Sequence, residues 1–151
     1  MYEIVAKEDL APVTKLFEVR APIVARKAQA GQFVIVRIDE EGERVPLTVA
    51  DYDREQGSVT LVFQEVGKST MKLGTLEVGD CVANFVGPLG HASEVEDFGA
   101  VVCIGGGVGI APIYPIASAL KEAGNTVLGI IGARNKELLF WEERCARFVT
   151  T

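Results

Sequence analysis

The chain has 151 residues, 48% of them hydrophobic, and a formal net charge of −6. That length holds one ordinary domain or two small ones, and the apolar content excludes a disordered chain. The acidic balance argues against nucleic acid, whose phosphates would be repelled, and no apolar run approaches the roughly 20 residues of a membrane span, so the cytoplasm is the expected location.

Up to about residue 97 the sequence reads as short strands and turns. Residues 13–19 form a candidate strand, interrupted at Ala21-Pro22. Ala30-Gly31 is a turn before Phe33-Val34-Ile35-Val36-Arg37-Ile38. Asp39-Glu40-Glu41-Gly42 is a charged hairpin turn before a strand over 45–50, and residues 51–57 turn again. In the strand over 58–64, Val59, Leu61 and Phe63 share one face. A short helical piece is expected over 69–73, and Glu77-Val78-Gly79-Asp80 turns into a strand over 81–86. Several short strands at this spacing imply a sandwich or barrel.

From about residue 99 the period changes. Ala100-Val101-Val102-Cys103-Ile104 is a continuous apolar run, as in strands of a parallel sheet buried on both faces. Ile113, Ile116, Ala117 and Leu120 then mark one face of an amphipathic helix, with Gly124 where a C-terminal cap glycine belongs. A second apolar strand is expected over 126–131, a further helix over 136–145 and the start of a third strand over 148–151. A doubly wound nucleotide domain takes roughly 100 residues or more, so the chain is expected to be a fragment of a longer protein.

Between the first apolar strand and its helix lies Gly105-Gly106-Gly107-Val108-Gly109-Ile110-Ala111-Pro112. Glycines let a backbone approach a diphosphate without a Cβ in the way, and the helix behind them points unpaired N–H groups at the same place. Pro112 suits a first helical turn, where its missing N–H costs nothing. The strand–turn–helix context favours a nucleotide site over a turn that only packs strand on helix. The second strand ends in Gly132-Ala133-Arg134 in place of the usual acid; Arg134 is either a partner for a 2′-phosphate or a solvated charge.

Three weaker segments accompany it. Gly67-Lys68-Ser69-Thr70 offers hydroxyls and a cation after a strand, the tools of a phosphate site and equally of a helix cap. Arg44-Val45-Pro46-Leu47-Thr48 by itself reads as an edge strand. Gly87-Pro88-Leu89-Gly90-His91 is a junction turn holding the single histidine. The three cysteines, Cys81, Cys103 and Cys145, lie far apart without a paired spacing and read as reduced, small hydrophobes. No nucleophile–base set, carboxylate pair or metal cluster stands out, so any redox chemistry falls to a cofactor.

Taken in order, Pro-Leu-Thr on a strand, Gly-x-Ser-Thr on a strand–helix turn, Gly-Pro-Leu-Gly at a junction and Gly-Gly-Gly-x-Gly-x-Ala-Pro resemble the ferredoxin–NADP reductase superfamily over essentially the whole chain. Within it the sequence is similar to electron-transfer subunits of dihydroorotate dehydrogenase B. It looks closer still to the small (alpha) subunits of NADH-dependent ferredoxin–NADP oxidoreductase, also called sulfide dehydrogenase. Residues 105–115 and 132–141 carry that closer match.

The resemblance implies an all-β antiparallel six-stranded Greek-key barrel binding FAD over residues 1–97. The start of an α/β parallel-sheet NAD(P)H domain, apparently truncated, follows over 98–151. It implies Thr48 as the catalytic residue, near the flavin N5 and tuning it by a hydrogen bond. Leu47 would lie against the isoalloxazine, with Pro46 in the same segment. Val62, Phe63 and Gln64 would line the adenosine side, and Gly67, Ser69 and Thr70 would hold the pyrophosphate. Gly105, Gly106, Gly107, Val108, Gly109, Ala111 and Pro112 would face the pyridine nucleotide. Many relatives place an arginine three residues before the hydroxyl residue; here Val45 stands there, and Arg44 would reach the pyrophosphate from a shifted register.

Relatives also carry a C-terminal cysteine cluster for a [2Fe–2S] centre, expected here only in the missing C-terminal region. The implied function is a flavoprotein electron-transfer subunit, an oxidoreductase passing electrons between NAD(P)H, FAD and an iron–sulfur centre or ferredoxin. A larger catalytic flavoprotein or iron–sulfur subunit and a ferredoxin-like carrier would be its partners. The fragment alone is expected to bind FAD, hold NAD(P)H poorly and pass no electrons onward. The alternatives are a non-catalytic nucleotide-binding assembly module and an electron-transfer subunit of dihydroorotate dehydrogenase. A dehydrogenase with its own substrate pocket would need a catalytic base near the glycines, and none is visible.

Overall fold

In the computed structural model, which describes residues 1–148, alternation of apolar and polar side chains has built an antiparallel sheet. Its strands are β1 (Tyr2–Ala11), β2 (Thr14–Arg20), β3 (Phe33–Arg37), β4 (Val45–Asp53), β5 (Ser58–Gln64), β6 (Cys81–Val82) and β7 (Asn84–Leu89). They lie in the order β6-β1-β2-β5-β4-β3-β7. Only Ala83 separates β6 from β7, and its N–H donates to the Ile38 carbonyl. The two are halves of one bent strand, β6 pairing with β1 and β7 with β3. The bend brings the two ends of the sheet together, so the expected six strands stand, the last of them in two pieces.

Phe17 and Val19, Val34 and Val36, Val59, Leu61 and Phe63, with Val82 and Phe85, fill the barrel interior and are nearly inaccessible. Each buried aliphatic or aromatic side chain of this kind stabilises the fold by about 1.5–3 kcal/mol over leaving it in water. β5 is buried from Ser58 to Phe63 on both faces, the buried Ser58 and Thr60 sharing one of them with Val62.

Two elements differ from expectation. β1 was not foreseen because charges interrupt its apolar positions. One of them, Lys7, donates its ammonium to the carbonyls of Gly74 and Leu76 and to the Glu77 carboxylate. Pro22 does not merely interrupt: it opens helix α1 (Pro22–Lys27), since a proline costs nothing at the first helical position. Helix α2 (Lys68–Gly74) lies where a short helix was expected.

The second part is a strand–helix–strand unit. β8 (Ala100–Gly106) leads through one 3-10 turn (Gly107–Gly109) into α3 (Ile110–Glu122), and β9 (Thr126–Gly132) returns parallel to β8 in unbroken register. The buried Asn125 accepts from the Phe98 N–H and donates to the carbonyls of Glu96 and Leu120, tying the entry of β8 to the end of α3. Gly124 has φ +99°, the left-handed cap expected of it. The opposite face of the sheet, carrying Val102, Ile104, Leu128 and Ile130, is open. The helix expected over 136–145 is instead a 3-10 turn (Lys136–Leu138) and a short α4 (Glu142–Ala146). Of the strand expected over 148–151, residues 149–151 lie outside the described residues.

All three cysteines are free thiols; Cys103 is buried, and burial pushes its thiol and that of Cys145 above the ordinary range. Among the described residues no helix is long and apolar enough to cross a membrane, and no cluster of potential metal ligands occurs.

Val13 follows Pro12 in the β1–β2 turn and sits at φ +54°, a conformation that costs a residue with a Cβ about 1–2 kcal/mol. Val13→Gly is expected to raise unfolding free energy by about 0.5–1 kcal/mol despite glycine's greater chain entropy, and Val13→Ala to gain little. Urea denaturation of the three proteins checks this; an unchanged or lowered midpoint for the glycine variant contradicts it.

Candidate functional site

Three structures converge on the outer face of β4 and β5. The first is the strand segment Pro46-Leu47-Thr48. Pro46 is exposed and Leu47 and Thr48 are half-buried. Thr48 faces Phe33 in the ladder with β3, and the next residue, Val49, pairs with Leu61 of β5. Pro46 faces Ile35 in the ladder with β3, and Arg44, just before β4, is exposed.

The second is the turn entering α2. The Thr70 hydroxyl accepts from the N–H groups of Val66 and Gly67 at 3.1 Å, closing the turn on itself. Ser69 Oγ donates to the Glu43 carboxylate, and Lys72 donates to Asp39, so the acidic 39–43 loop is fastened across α2. The Lys72 ammonium holds the Asp39 carboxyl below its usual value. These contacts bring Arg44, one residue after Glu43, to the same turn. A Cβ on Gly67 would meet nothing within 4 Å, so its backbone is open to a ligand.

The third is the glycine turn, where the glycines divide by role. A Cβ on Gly105 would come within 2.9 Å of Ile113 Cγ2 and 3.0 Å of Ile110 Cα. Gly105 is therefore the residue that lets α3 lie close on β8, a packing role. Gly106, Gly107 and Gly109 point toward open space, and Gly107 has φ +55°. Val108 is exposed, whereas Ala111 is buried and Pro112 half-buried in the first turn of α3. That turn carries no acidic residue and no side-chain cap, so the positive end of the helix dipole is not offset there, although the Ile110 N–H donates to the carbonyls of Gly107 and Val108 and Pro112 has no N–H.

An apolar seam joins β4 and β5 to the start of α3. Leu16, Ala50 and Val62 from the barrel pack with Ile110, Ala111 and Phe140 of the second unit. Val62 thus belongs to the seam and Phe63 to the barrel core, while Gln64 is half-buried at the end of β5. A cavity of about 250 Å³ lies along the seam, lined by Asp51, Tyr52, Arg54, Pro115, Ser118, Ala119 and Glu122. A larger cleft of about 720 Å³ beside Leu139, Trp141 and Arg144 contains none of the expected site residues. Sequence reading missed Phe140 and Asp51 altogether, because a seam residue carries no motif of its own.

Comparison with known proteins agrees with this geometry. Residues 1–93 match the family described as oxidoreductase FAD-binding domain. The chain is 49% identical over 137 residues to a Thermotoga maritima protein named dihydroorotate dehydrogenase B (NAD(+)), electron transfer subunit homolog, covering 91% of this chain and 49% of that protein. It is 33% identical over 135 residues to the Bacillus caldolyticus dihydroorotate dehydrogenase B (NAD(+)) electron transfer subunit, covering 85% of this chain and 52% of that one. A solved structure of an NADH-dependent reduced ferredoxin–NADP oxidoreductase, described for flavin-based electron bifurcation, superposes with a TM-score of 0.96 at 45% identity, over 99% of this chain and 55% of that one. The chain spans about half the length of each of these relatives.

The division among the glycines is open to experiment. Gly105→Ala is expected to lower stability by about 1–3 kcal/mol through overpacking. Gly106, at φ −119° and ψ 134°, accepts alanine with a change within about 0.5 kcal/mol. Equal midpoints for the two variants in urea denaturation would refute the assignment.

Proposed function

The chain belongs to the oxidoreductase FAD-binding domain family, and we propose that it is the flavin-bearing part of an electron-transfer subunit working between NAD(P)H, FAD and an iron–sulfur centre or ferredoxin. The observation that carries this reading is that Ala50, two residues after Thr48 on β4, packs in one seam with Ile110, the residue that follows the open glycines Gly106, Gly107 and Gly109. In this reading residues 1–97 are the FAD-binding barrel and residues 98–151 the first part of the NAD(P)H-binding unit.

The residues fit both groups. Toward FAD, the exposed Pro46 offers an apolar contact for a planar ring and Thr48 brings a hydroxyl to its edge, while Leu47, packed against the barrel core, backs the segment. The bare backbone at Gly67, with the exposed cations Arg44 and Lys68 beside it, suits a pyrophosphate. Thr70 acts by holding the turn, since its hydroxyl is already engaged there. Ser69 serves the anion once its hydroxyl exchanges Glu43 for a phosphate oxygen. Toward the pyridine nucleotide, the uncapped first turn of α3 and the absence of any Cβ at Gly106, Gly107 and Gly109 suit a second diphosphate.

Bound FAD supplies the redox chemistry, taking electrons in pairs and giving them up singly. The chain's own contribution is position. Thr48 presents a hydrogen-bonding group to the reactive edge of the ring. Leu47 anchors the segment on the barrel core, and the seam holds the glycine turn beside the same strand, where proximity rather than acid–base catalysis lowers the barrier. The names borne by the relatives favour a larger catalytic subunit as partner, that of a dihydroorotate dehydrogenase or of a ferredoxin–NADP oxidoreductase. The cytoplasm is the compartment where such carriers and reduced thiols coexist.

Purified protein titrated with FAD is expected to turn yellow and retain the flavin on gel filtration; colourless protein that cannot be reconstituted refutes the reading. Arg44→Gln is expected to weaken FAD binding about tenfold, the loss of one charge-assisted contact, and Glu43→Gln to strengthen it. Thr48→Val is expected to shift the visible spectrum of the bound flavin with little change in Kd. An unshifted spectrum removes Thr48 from the ring edge.

A further inference from the structure

A second set of contacts spans the seam, away from the expected cofactor surfaces. On β4 the ladder with β5 slips between Val49 and Asp51, an irregularity of the kind that re-aims a side chain. The Asp51 carboxylate accepts from the Arg144 guanidinium of α4. That guanidinium lies 4.3 Å from the Trp141 ring centre and 4.6 Å from that of Tyr114, whose side chain is buried on α3. The Tyr114 and Trp141 rings are themselves 5.1 Å apart, and Phe140 stands 5.7 Å from Trp141 while packing into the seam. Trp141 sits at φ +60°, a strained conformation for a bulky residue that persists only where its surroundings over-determine it.

These observations share one cause. A guanidinium is planar and forked, so it stacks on two rings and binds a carboxylate with its edge at the same time; an ammonium cannot do both. Arg144 therefore connects three elements: β4 through Asp51, α3 through Tyr114 and the segment before α4 through Trp141. Asp51 lies three residues beyond Thr48 on the same strand, and Tyr114 one helical turn beyond Ile110, where the glycine turn ends.

We propose that Arg144 is a positioning residue, a clasp that fixes the angle of the strand–helix–strand unit on the barrel and so sets the separation between Thr48 and the glycine turn. Its cofactor consequence rests on the function proposed above; the clasp itself does not.

Trp141 is the single tryptophan of the chain, which makes the test direct. In hydrogen exchange, Arg144→Gln, Arg144→Lys and Asp51→Asn are each expected to lower protection of amides 110–114 by about tenfold, with β5 unchanged. The double variant D51N/R144Q should be no worse than either single one, the pattern of a coupled pair. With FAD bound, energy transfer from Trp141 to the flavin should change in all three single variants while the FAD Kd stays within twofold. If Arg144→Gln loosens the whole barrel, Asp51→Asn decides, since it leaves the stack in place. Unchanged protection and transfer in Asp51→Asn, full recovery by Arg144→Lys, or additive effects in the double variant overturn the proposal. Failure of the parent chain to bind FAD removes the function reading and leaves the exchange test standing.

Discussion

The apolar seam between the outer face of β4 and β5 and the first turn of α3 is the contact on which the rest of this structure depends. Ile110 is wholly buried there, with Ala50 and Ala111 nearly so. Removed from each other, the barrel would expose Leu16 and Val62 and the second unit would expose Ile110 and Phe140, at about 1.5–3 kcal/mol for each large side chain. The same contact buries Val62 on the outer face of β5 and brings the glycine turn to the strand that bears Thr48. Packing and the placing of the chemistry are one event.

The seam also explains how an acidic chain presents anion sites. Nothing in a net charge of −6 favours a diphosphate. The favourable groups are local: backbone N–H groups at helix starts, bare glycines, and Arg44 and Lys68 against the acidic loop. That loop is held by Ser69 and Lys72, so the carboxylates of Glu43 and Asp39 are spent on internal partners. Local dipoles and a few cations decide binding at contact distance, where the far field of the surface is screened by salt.

Much of the architecture was legible in order. The strands of the barrel, the strand–glycine–helix unit and the Gly124 cap follow from period and turn chemistry, because each is a local property of the chain. The errors share a reason. β1 was missed because Lys7 looks like a surface charge until the carbonyls of Gly74 and Leu76, far along the chain, are seen to accept from it. Residues 136–145 carry a helical composition, yet Phe140 is claimed by the seam and the chain must pass through a left-handed residue at Trp141 to restart as α4. Gly105 and its glycine neighbours are indistinguishable in sequence, and only the position of Ile110 and Ile113 over β8 separates the packing glycine from the open ones.

The sequence by itself determined which segments become strands, where the chain changes from antiparallel to strand–helix–strand grammar, and the family resemblance with the cofactor chemistry it implies. These rest on spacing and on residue types whose backbone preferences act within a few positions. The tertiary structure alone decided that β6 and β7 close one barrel, that Val62 packs in the seam and Phe63 in the barrel core, that Thr70 braces its own turn, and that Asp51 and Arg144 clasp the two units. Those outcomes depend on which surfaces meet, and burial is settled between residues that the chain holds far apart.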